Sequence, residues 1–184
     1  KKAIKRAGIT GNDVDEVIMG NAIQANTGQA PARQAAIAAG VHVNATVTTV
    51  NKVCASGMKA IILGAQSIML GDKEVVVAGG MESMTNAPFM MSNARNGYRY
   101  GNGELLDAIV RDALQDPYSK EMMGNSGDRC AKKFNFTRED QDAFAIESYR
   151  RAAEAHKNGW FAEEMFEVEI AGRGESTFVK DDEE

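Results

Sequence analysis

The first eighty residues alternate between two hydrophobic periodicities. Three short apolar runs, at 14–23, 46–53 and 73–80, are typical of strands. Helical patterns lie before and between them, over residues 1–7, 27–40 and 57–70. Strands that alternate with helices of this length predict crossover units around a parallel sheet, which makes this part α/β. The last run, "KEVVVAGG", is almost continuously apolar, so we expect it to be buried on both faces.

The pattern changes after Pro88. Residues 89–104 are rich in Asn and Gly and are predicted to form a loop. Two short helices follow at 105–114 and 122–134. The longest helix begins after Thr137, where Asp140 can complete a capping box, and ends at Gly159. Because a strand is predicted at 164–172, we expect two domains, an α/β domain over 1–87 and a second α+β domain over 88–184.

Composition narrows the function classes. The chain has 184 residues, 43% of them hydrophobic, which is enough for a core in one domain or one and a half. Its net charge of -5 argues against nucleic acid as the main partner, and no apolar run is long enough to span a membrane. Two cysteines favour a reducing compartment. The sequence starts without Met, and we expect both of its ends to be cut within an element.

Cys54 lies where the second predicted strand changes into a helix. This junction faces the carboxyl end of a parallel sheet, where ligands bind in open α/β folds. Unpaired N–H groups at the helix start favour a thiolate and can hold an oxyanion. The small residues Ala55, Ser56 and Gly57 leave room for a substrate. A structural buried cysteine is the alternative interpretation, and position alone leaves it open.

Other candidate groups carry weaker signals. Glu82 follows two glycines at a strand end and can act as a base, orient a neighbour or face solvent in a tight turn. His42, in a loop, and His156, near the end of a long helix, are poor candidates for a base that activates Cys54. The methionines favour an adaptable apolar lining or ordinary core.

At this point the sequence resembles the thiolase family, in its acetyl-CoA acetyltransferase branch. The resemblance rests on "NKVCASGMKAI", on "VVVAGGMESMTNAP" and on "MMGNSGDRCAKKFNFTREDQDAFAIESYRRA", and it runs along nearly the whole chain. It implies a layered α-β-α-β-α fold built from two similar halves, with a loop domain inserted in the first half. This chain would supply most of the first half and most of the loop domain.

The resemblance implies a role for Cys54 as the nucleophile. Cys54 would accept an acyl group from acyl-CoA as a thioester, and the carbanion of a second acetyl-CoA would attack it to form acetoacetyl-CoA; thiolysis is the reverse. In the family the activating His, an Asn-Glu-Ala-Phe segment and a second catalytic cysteine lie in the other half. Cys130 does not match that second cysteine. We therefore expect no sustained turnover from these 184 residues alone.

Three further residues receive roles from the resemblance. Tyr149 matches a tyrosine that lies near coenzyme A and a potassium ion in mitochondrial-type members, although plain helix packing also fits its spacing. Met123 and Met122 match positions next to the acyl pocket. Met122 stands where many members carry a His, which changes the polarity of that pocket.

The resemblance also sets expectations for partners and place. Acetyl-CoA and acetoacetyl-CoA would be the substrates, with no tightly bound cofactor, and the assembly would be a homodimer or homotetramer. A mitochondrial location is expected, with the cytosol as the alternative. Two other functions stay open: a longer-chain 3-oxoacyl-CoA thiolase, and a thiolase half that acts as a non-catalytic structural or binding subunit.

Overall fold

The computed structural model describes residues 1–172 and 174–183. It divides into two compact units, Lys1–Met123 and Gly124–Glu184, which are described separately. The unit boundary falls 36 residues (123 against 87) beyond the change of pattern at Pro88. Residues 88–123 therefore form a compact body with the α/β part, and the assignment of 88–184 to one inserted domain stays a prediction.

A three-stranded parallel sheet forms the centre of the first unit. Strand β1 (Glu16–Gly20) lies in the middle, flanked by β2 (Thr46–Val50) and β3 (Val76–Gly80). Glu16 pairs with Thr46 on one side and with Val76 on the other. The parallel sheet and its crossovers confirm the predicted α/β class.

Three helices connect and flank these strands. Helix α1 (Lys2–Arg6) precedes β1, α2 (Pro31–Ala39) joins β1 to β2, and α3 (Ser56–Met69) joins β2 to β3. Pro31 occupies the first turn of α2, and Gly40 ends that helix with a φ of 86°. The core is small and aliphatic, and it consists of Ile4, Val14, Val17, Ala36, Val41 and Ala45.

Burial of β3 differs from the prediction. Residues 76–79 of β3 are half-buried and Gly80 is exposed, although burial on both faces was expected. In β1, by contrast, Val17 and Ile18 are buried. The reason is the strand order, since β3 is an edge of the described sheet and β1 is its centre. A continuous apolar run thus marked a strand correctly but did not show its position in the sheet.

The segment from Pro88 to Met123 also departs from the prediction. Phe89–Met91 (β4) and Leu105–Asp107 (β5) pair as an antiparallel ribbon, where a loop and the start of a helix were expected. Val110–Leu114 then forms a π-helical turn. Local composition missed the ribbon because cross-strand pairing stabilises it over a separation that periodicity does not sample.

The second unit contains α4 (Met123–Phe134, which starts at the unit boundary), α5 (Arg138–Lys157) and a ribbon of β6 (Val168–Ile170) and β7 (Thr177–Val179). The predicted capping box is confirmed, because Thr137 and Asp140 exchange both hydrogen bonds. The predicted apolar face of α5 is not buried within this unit: Ile146 is 69% exposed and Tyr149 is 78% exposed. Among the described residues, none of the helices has the length and apolar character needed to cross a membrane.

Candidate active site

Cys54 lies in the turn between the last residue of β2, Val50, and the first residue of α3, Ser56. The predicted strand-to-helix junction is confirmed, and its side chain is a free, exposed thiol. The turn stands at the carboxyl end of the parallel sheet, where side chains from several strand ends converge. Within the described part of the chain the sulfur is therefore open to a reactant, which favours the reactive interpretation over a buried structural cysteine.

The residue before Cys54 has an unusual backbone. Val53 adopts a φ of 50°, which is an outlier for a β-branched side chain. The Asn51 side chain holds this conformation, since its Oδ1 accepts the Val53 N–H at 2.9 Å. The Asn51 Nδ2 donates to the Ala22 carbonyl at 3.1 Å and so fastens the turn to the loop after β1.

Ser56 closes the same turn from the helix side. Its hydroxyl donates to the Val53 carbonyl at 2.5 Å and accepts the Lys52 N–H at 2.8 Å. The Ser56 N–H also donates to the Val53 carbonyl, at 3.1 Å. Because Ser56 is buried, these bonds are protected from water and fix the conformation on both sides of Cys54.

Glycines bring the start of α3 onto the strand ends. A Cβ built on Gly80 would lie 3.4 Å from the Cα of Gly57, and a Cβ on Gly20 would lie 2.5 Å from the Gly57 nitrogen. Gly80 thus lies in ordinary contact distance of the start of α3, whereas at Gly20 the helix backbone leaves no room for a side chain. This packing sets the height of Cys54 above the sheet.

Two amides at the start of α3 remain available. Within the part of the chain that the structure describes, the N–H groups of Gly57 and Met58 have no acceptor. The first turn of a helix leaves such donors unpaired, and the helix dipole adds positive potential there. The turn can thus stabilise negative charge that develops beside Cys54.

Glu82 orients neighbouring groups, which is one of the three roles that the sequence leaves open. Its Oε1 accepts from the Asn21 Nδ2 at 2.7 Å and from the Ile23 N–H at 2.9 Å, and its Oε2 accepts the Ala22 N–H at 2.8 Å. The carboxylate thus orients neighbours rather than facing solvent without a partner. It joins the end of β3 to the loop that follows β1.

A cavity of about 690 Å³ opens beside the cysteine turn. Its wall includes Asn51 and Val53 from the turn, Gln24 from the loop after β1, Arg111 from the π-helical turn, and Met123. This volume lies within the usual range for small-molecule sites. Met122 is adjacent in sequence and forms a β-bridge with Gln115, another residue of the wall.

Tyr149 belongs to the second unit. Tyr149 lies on the exposed surface of α5, so helix packing within the second unit does not explain why a tyrosine occupies this position. Among residues 1–172 and 174–183, no cluster of three or more His, Cys, Asp or Glu side chains could hold a metal ion. A potassium ion does not require such a cluster, because it binds to neutral oxygens, so the potassium role of Tyr149 stays a prediction.

Both histidines have local roles. The His42 Nδ1 accepts the Asn44 N–H at 3.2 Å, and the His156 ring packs edge-on against Phe161 at a centroid distance of 5.8 Å. Cys130 is exposed on α4. These contacts agree with the prediction that His42 and His156 are poor candidates for a base that activates Cys54.

Sequence reasoning missed the residues that shape the turn. Asn51 stands two positions before Val53, the spacing of an Asx turn, and this signal was available from the sequence. Ser56 was considered only for its small size, although a serine near a helix start commonly bonds to the backbone. Asn21 gave no signal, because its partner Glu82 lies 61 residues away.

The fold and the site define a class: an α/β protein that presents an exposed cysteine on a held strand-to-helix turn, beside a cavity. The sequence profile described as "Thiolase, N-terminal domain" matches residues 1–184. The chain belongs to the thiolase family and corresponds to its N-terminal domain.

Curated relatives extend this result. The chain is 55% identical over its whole length to a "Probable acetyl-CoA acetyltransferase" of Dictyostelium discoideum, and covers 45% of that protein. It is 52% identical to an "Acetyl-CoA acetyltransferase" of Schizosaccharomyces pombe and 51% identical to the mitochondrial acetyl-CoA acetyltransferase A of Xenopus laevis, in both cases over its whole length. It covers 47% and 44% of these two proteins, so it spans a little under half the length of the relatives it matches.

Solved structures agree with the fold. The acetyl-CoA acetyltransferase of Bacillus anthracis superposes with a TM-score of 0.94 at 37% identity, over 99% of this chain and 46% of that one. The Acat5 thiolase of Ascaris suum, solved in complex with coenzyme A, superposes with a TM-score of 0.87 at 44% identity, over 91% of this chain and 43% of that one. The predicted thiolase-like fold, in its N-terminal half, is confirmed.

Proposed function

We propose that the protein to which this chain belongs is an acetyl-CoA C-acetyltransferase that uses Cys54 as its nucleophile. One observation carries the proposal. Cys54 is exposed on a turn held from both sides, three residues before the first of two unpaired amides of α3, in a chain of the thiolase family. A nucleophile beside donors that can stabilise an oxyanion is the arrangement that acyl transfer requires.

The first step loads the cysteine. The Cys54 sulfur attacks the carbonyl carbon of acetyl-CoA, and the electron pair of the carbonyl moves to oxygen. When the carbonyl re-forms, the bond to the coenzyme A sulfur breaks, and the thiolate that leaves takes up the proton given up by Cys54. Because charge develops close to the sulfur, we assign its stabilisation to the unpaired N–H groups of Gly57 and Met58 at the start of α3.

The second step forms the carbon–carbon bond. A base removes a proton from the methyl carbon of a second acetyl-CoA, and the carbanion attacks the acetyl carbon on Cys54. The Cys54 sulfur leaves as acetoacetyl-CoA forms and takes up the proton that the base removed, so that thiol and base are both restored for the next cycle. Neither His42 nor His156 is placed as that base, so we assign proton transfer to residues of the whole protein outside this chain.

The cavity beside the turn is proposed to receive the acyl end of the substrate. Its wall combines the Val53 and Met123 side chains with polar groups of Gln24 and Arg111. Met122 and Met123 are proposed to set the acyl preference, and Tyr149 to contact coenzyme A. The Ascaris suum structure with coenzyme A supports this ligand class. No step is assigned to potassium.

A longer-chain 3-oxoacyl-CoA thiolase is the alternative activity. It is favoured by Met122, an apolar side chain next to the cavity region, where the resemblance leads us to expect an imidazole. Acyl chain-length profiles distinguish the two, because each methylene in an apolar pocket changes discrimination by about 1–3 kcal/mol.

We further propose a mitochondrial location and a homodimeric or homotetrameric assembly. The name of the Xenopus laevis relative supports the location, while the names of the Dictyostelium and Schizosaccharomyces relatives give no compartment. The cytosol is the alternative. Fractionation with organelle markers and sedimentation velocity test these two proposals.

Acyl-adduct mapping tests the function. The purified protein is mixed briefly with acetoacetyl-CoA, quenched in acid and analysed by intact mass and peptide mapping. We expect one acetyl group on Cys54, none in Cys54→Ser, and an unchanged result in Cys130→Ser, since both thiols are exposed. Absence of an adduct on Cys54, with an intact fold, would favour the non-catalytic subunit instead.

A further inference from the structure

We infer that Asn51 and Glu82 are positioning residues that hold Cys54 through a hydrogen-bonded connection across the carboxyl ends of all three strands. The inference rests on the proposed role of Cys54 as nucleophile. Neither side chain is proposed to contact the sulfur. Each acts on it through backbone groups, by fixing where the turn of residues 51–56 stands.

The connection begins at the turn. Asn51 follows β2, and its Oδ1 holds the N–H of Val53, whose φ of 50° directs the chain into Cys54. A strained residue persists only where its surroundings determine it. Without the side chain of Asn51, Val53 can relax towards negative φ, and the side chain of Cys54, the next residue, moves with it.

The second link joins the turn to β1. The Nδ2 of Asn51 donates to the Ala22 carbonyl. The backbone N–H of Ala22 donates to Glu82 Oε2 at 2.8 Å. Asn51 thus holds the carbonyl of Ala22, and Glu82 holds its N–H. A shift of Ala22 therefore reaches the turn directly.

The third link joins β1 to β3. Glu82 also accepts the Ile23 N–H and one amide hydrogen of Asn21, while Asn21 Nδ2 donates in addition to the Met81 carbonyl at 3.1 Å. Both partners of this nitrogen are acceptors, which fixes the orientation of the amide. Asn21 is only 4% exposed, and its Oδ1 has no partner among the described residues.

That unpartnered oxygen supports a positioning role for the carboxylate. A buried acceptor without a donor is costly, and the remaining bonds of Asn21 must offset the cost. The bond to the ionised Glu82 is the strongest available for this purpose. A glutamine in place of Glu82 has one acceptor oxygen instead of two, so it cannot keep the bonds to Asn21, Ala22 and Ile23 together, and the loop that anchors Asn51 loosens.

The test uses the intact protein with matched variants. Asn51→Ala removes both bonds of the side chain, whereas Asn51→Asp keeps an acceptor for the Val53 N–H and loses the donor to Ala22. Glu82→Gln keeps the shape and removes the charge. The controls are Asn44→Ala and Glu74→Gln, exposed residues near the opposite ends of β2 and β3.

Steady-state kinetics with acetoacetyl-CoA and coenzyme A provide the first measurement. Because small displacements of a reacting group reduce the chemical step, we expect kcat to fall about tenfold or more in Asn51→Ala and Glu82→Gln, with KM changed less than about twofold. Asn51→Asp should recover part of the loss. Both controls should match the unaltered protein. Unchanged kcat in both variants, or equal loss in Asn51→Asp and Asn51→Ala, would overturn the inference.

A second measurement is independent of turnover. The rate of Cys54 alkylation by iodoacetamide, read from its own peptide, should change at least about threefold in Asn51→Ala and Glu82→Gln but not in the controls. Urea midpoints show whether each variant is folded at the assay conditions. If the unaltered protein transfers no acetyl group, the proposed function fails, while altered alkylation still supports the positioning; unaltered alkylation in a folded variant contradicts it.

Discussion

Gly20 lies directly beneath Ser56: a Cβ atom on Gly20 would stand 2.4 Å from the Ser56 carbonyl carbon, closer than real contacts permit. Gly20 ends β1, and Ser56 begins α3, two residues after Cys54. The turn that contains Cys54 is thus seated on the central strand without an intervening side chain. Any side chain at Gly20 must displace the helix start.

Gly20→Ala is therefore expected to lower the free energy of unfolding by about 1–3 kcal/mol and to reduce acetylation of Cys54. Urea denaturation and adduct mapping measure the two effects. Gly127→Ala is the control, because a Cβ there meets open space within α4 and alanine favours helix. Equal stability of the two variants would contradict the close packing described here.

Ser56→Ala should loosen the turn by removing both side-chain hydrogen bonds, those to Lys52 and Val53. Because the site is buried, we expect a loss of about 1–3 kcal/mol in the free energy of unfolding. Ser67→Ala on the same helix removes only a half-buried bond of 3.2 Å to Glu16, so its loss should be smaller, about 1 kcal/mol or less. The reverse order in urea denaturation would refute the assigned role of Ser56.

Asp15 makes stability depend on pH. Backbone N–H groups of Val75 and Glu74 donate to its Oδ2, both at 2.9 Å, and lower the pKa of Asp15 below its usual 3.8. A lowered folded-state pKa means that the stabilisation is complete above the unfolded-state value and is lost as pH falls through the lowered pKa.

We therefore compare urea midpoints of the unaltered protein and Asp15→Asn as pH is lowered. The difference in urea midpoint between the two proteins should be constant above about pH 5. It should shrink as the pH falls below the usual pKa of 3.8. Asp72→Asn serves as the control for loss of one exposed carboxylate on the same unit. A difference that stays constant down to the lowest pH at which the protein folds would count against this assignment.

Met123 should influence acyl-chain preference through the cavity wall. Met123→Ala enlarges the cavity, and we expect the ratio of kcat/KM for longer over shorter 3-oxoacyl-CoA substrates to rise about tenfold or more. Met165→Ala, in the second unit, is the matched control and should leave the ratio unchanged. If Met123→Ala lowers kcat/KM equally for the longer and the shorter substrates, Met123 supports the fold and does not set the acyl preference.

The sequence predicted the elements whose signals are local. The alternation of strands and helices, the position of Cys54, the ends of α2 and the capping box of Thr137 each depend on neighbours within a few residues. The thiolase resemblance supplied the family and the nucleophile, and the comparisons confirm the family.

The features that periodicity missed depend on distant partners. The β4–β5 ribbon pairs Phe89 with Asp107, and Glu82 acts on a loop about 60 residues earlier. The strain at Val53 depends on Asn51 and Ser56 together, and no single propensity reveals it. Exposure of the α5 face also escaped prediction, because an amphipathic pattern shows which side of a helix is apolar but not what covers it.

The parallel register has a consequence for the order of folding. Glu16 pairs with residues 30 and 60 positions later, Thr46 and Val76, so both crossovers must close before the sheet is complete. Contacts of such separation form slowly. The turn before α3 is fastened to Ala22, and Ala22 to Glu82 beyond β3, so we expect Cys54 to reach its final setting among the last events of folding. The time course of Cys54 reactivity during refolding should therefore report when β3 joins the sheet.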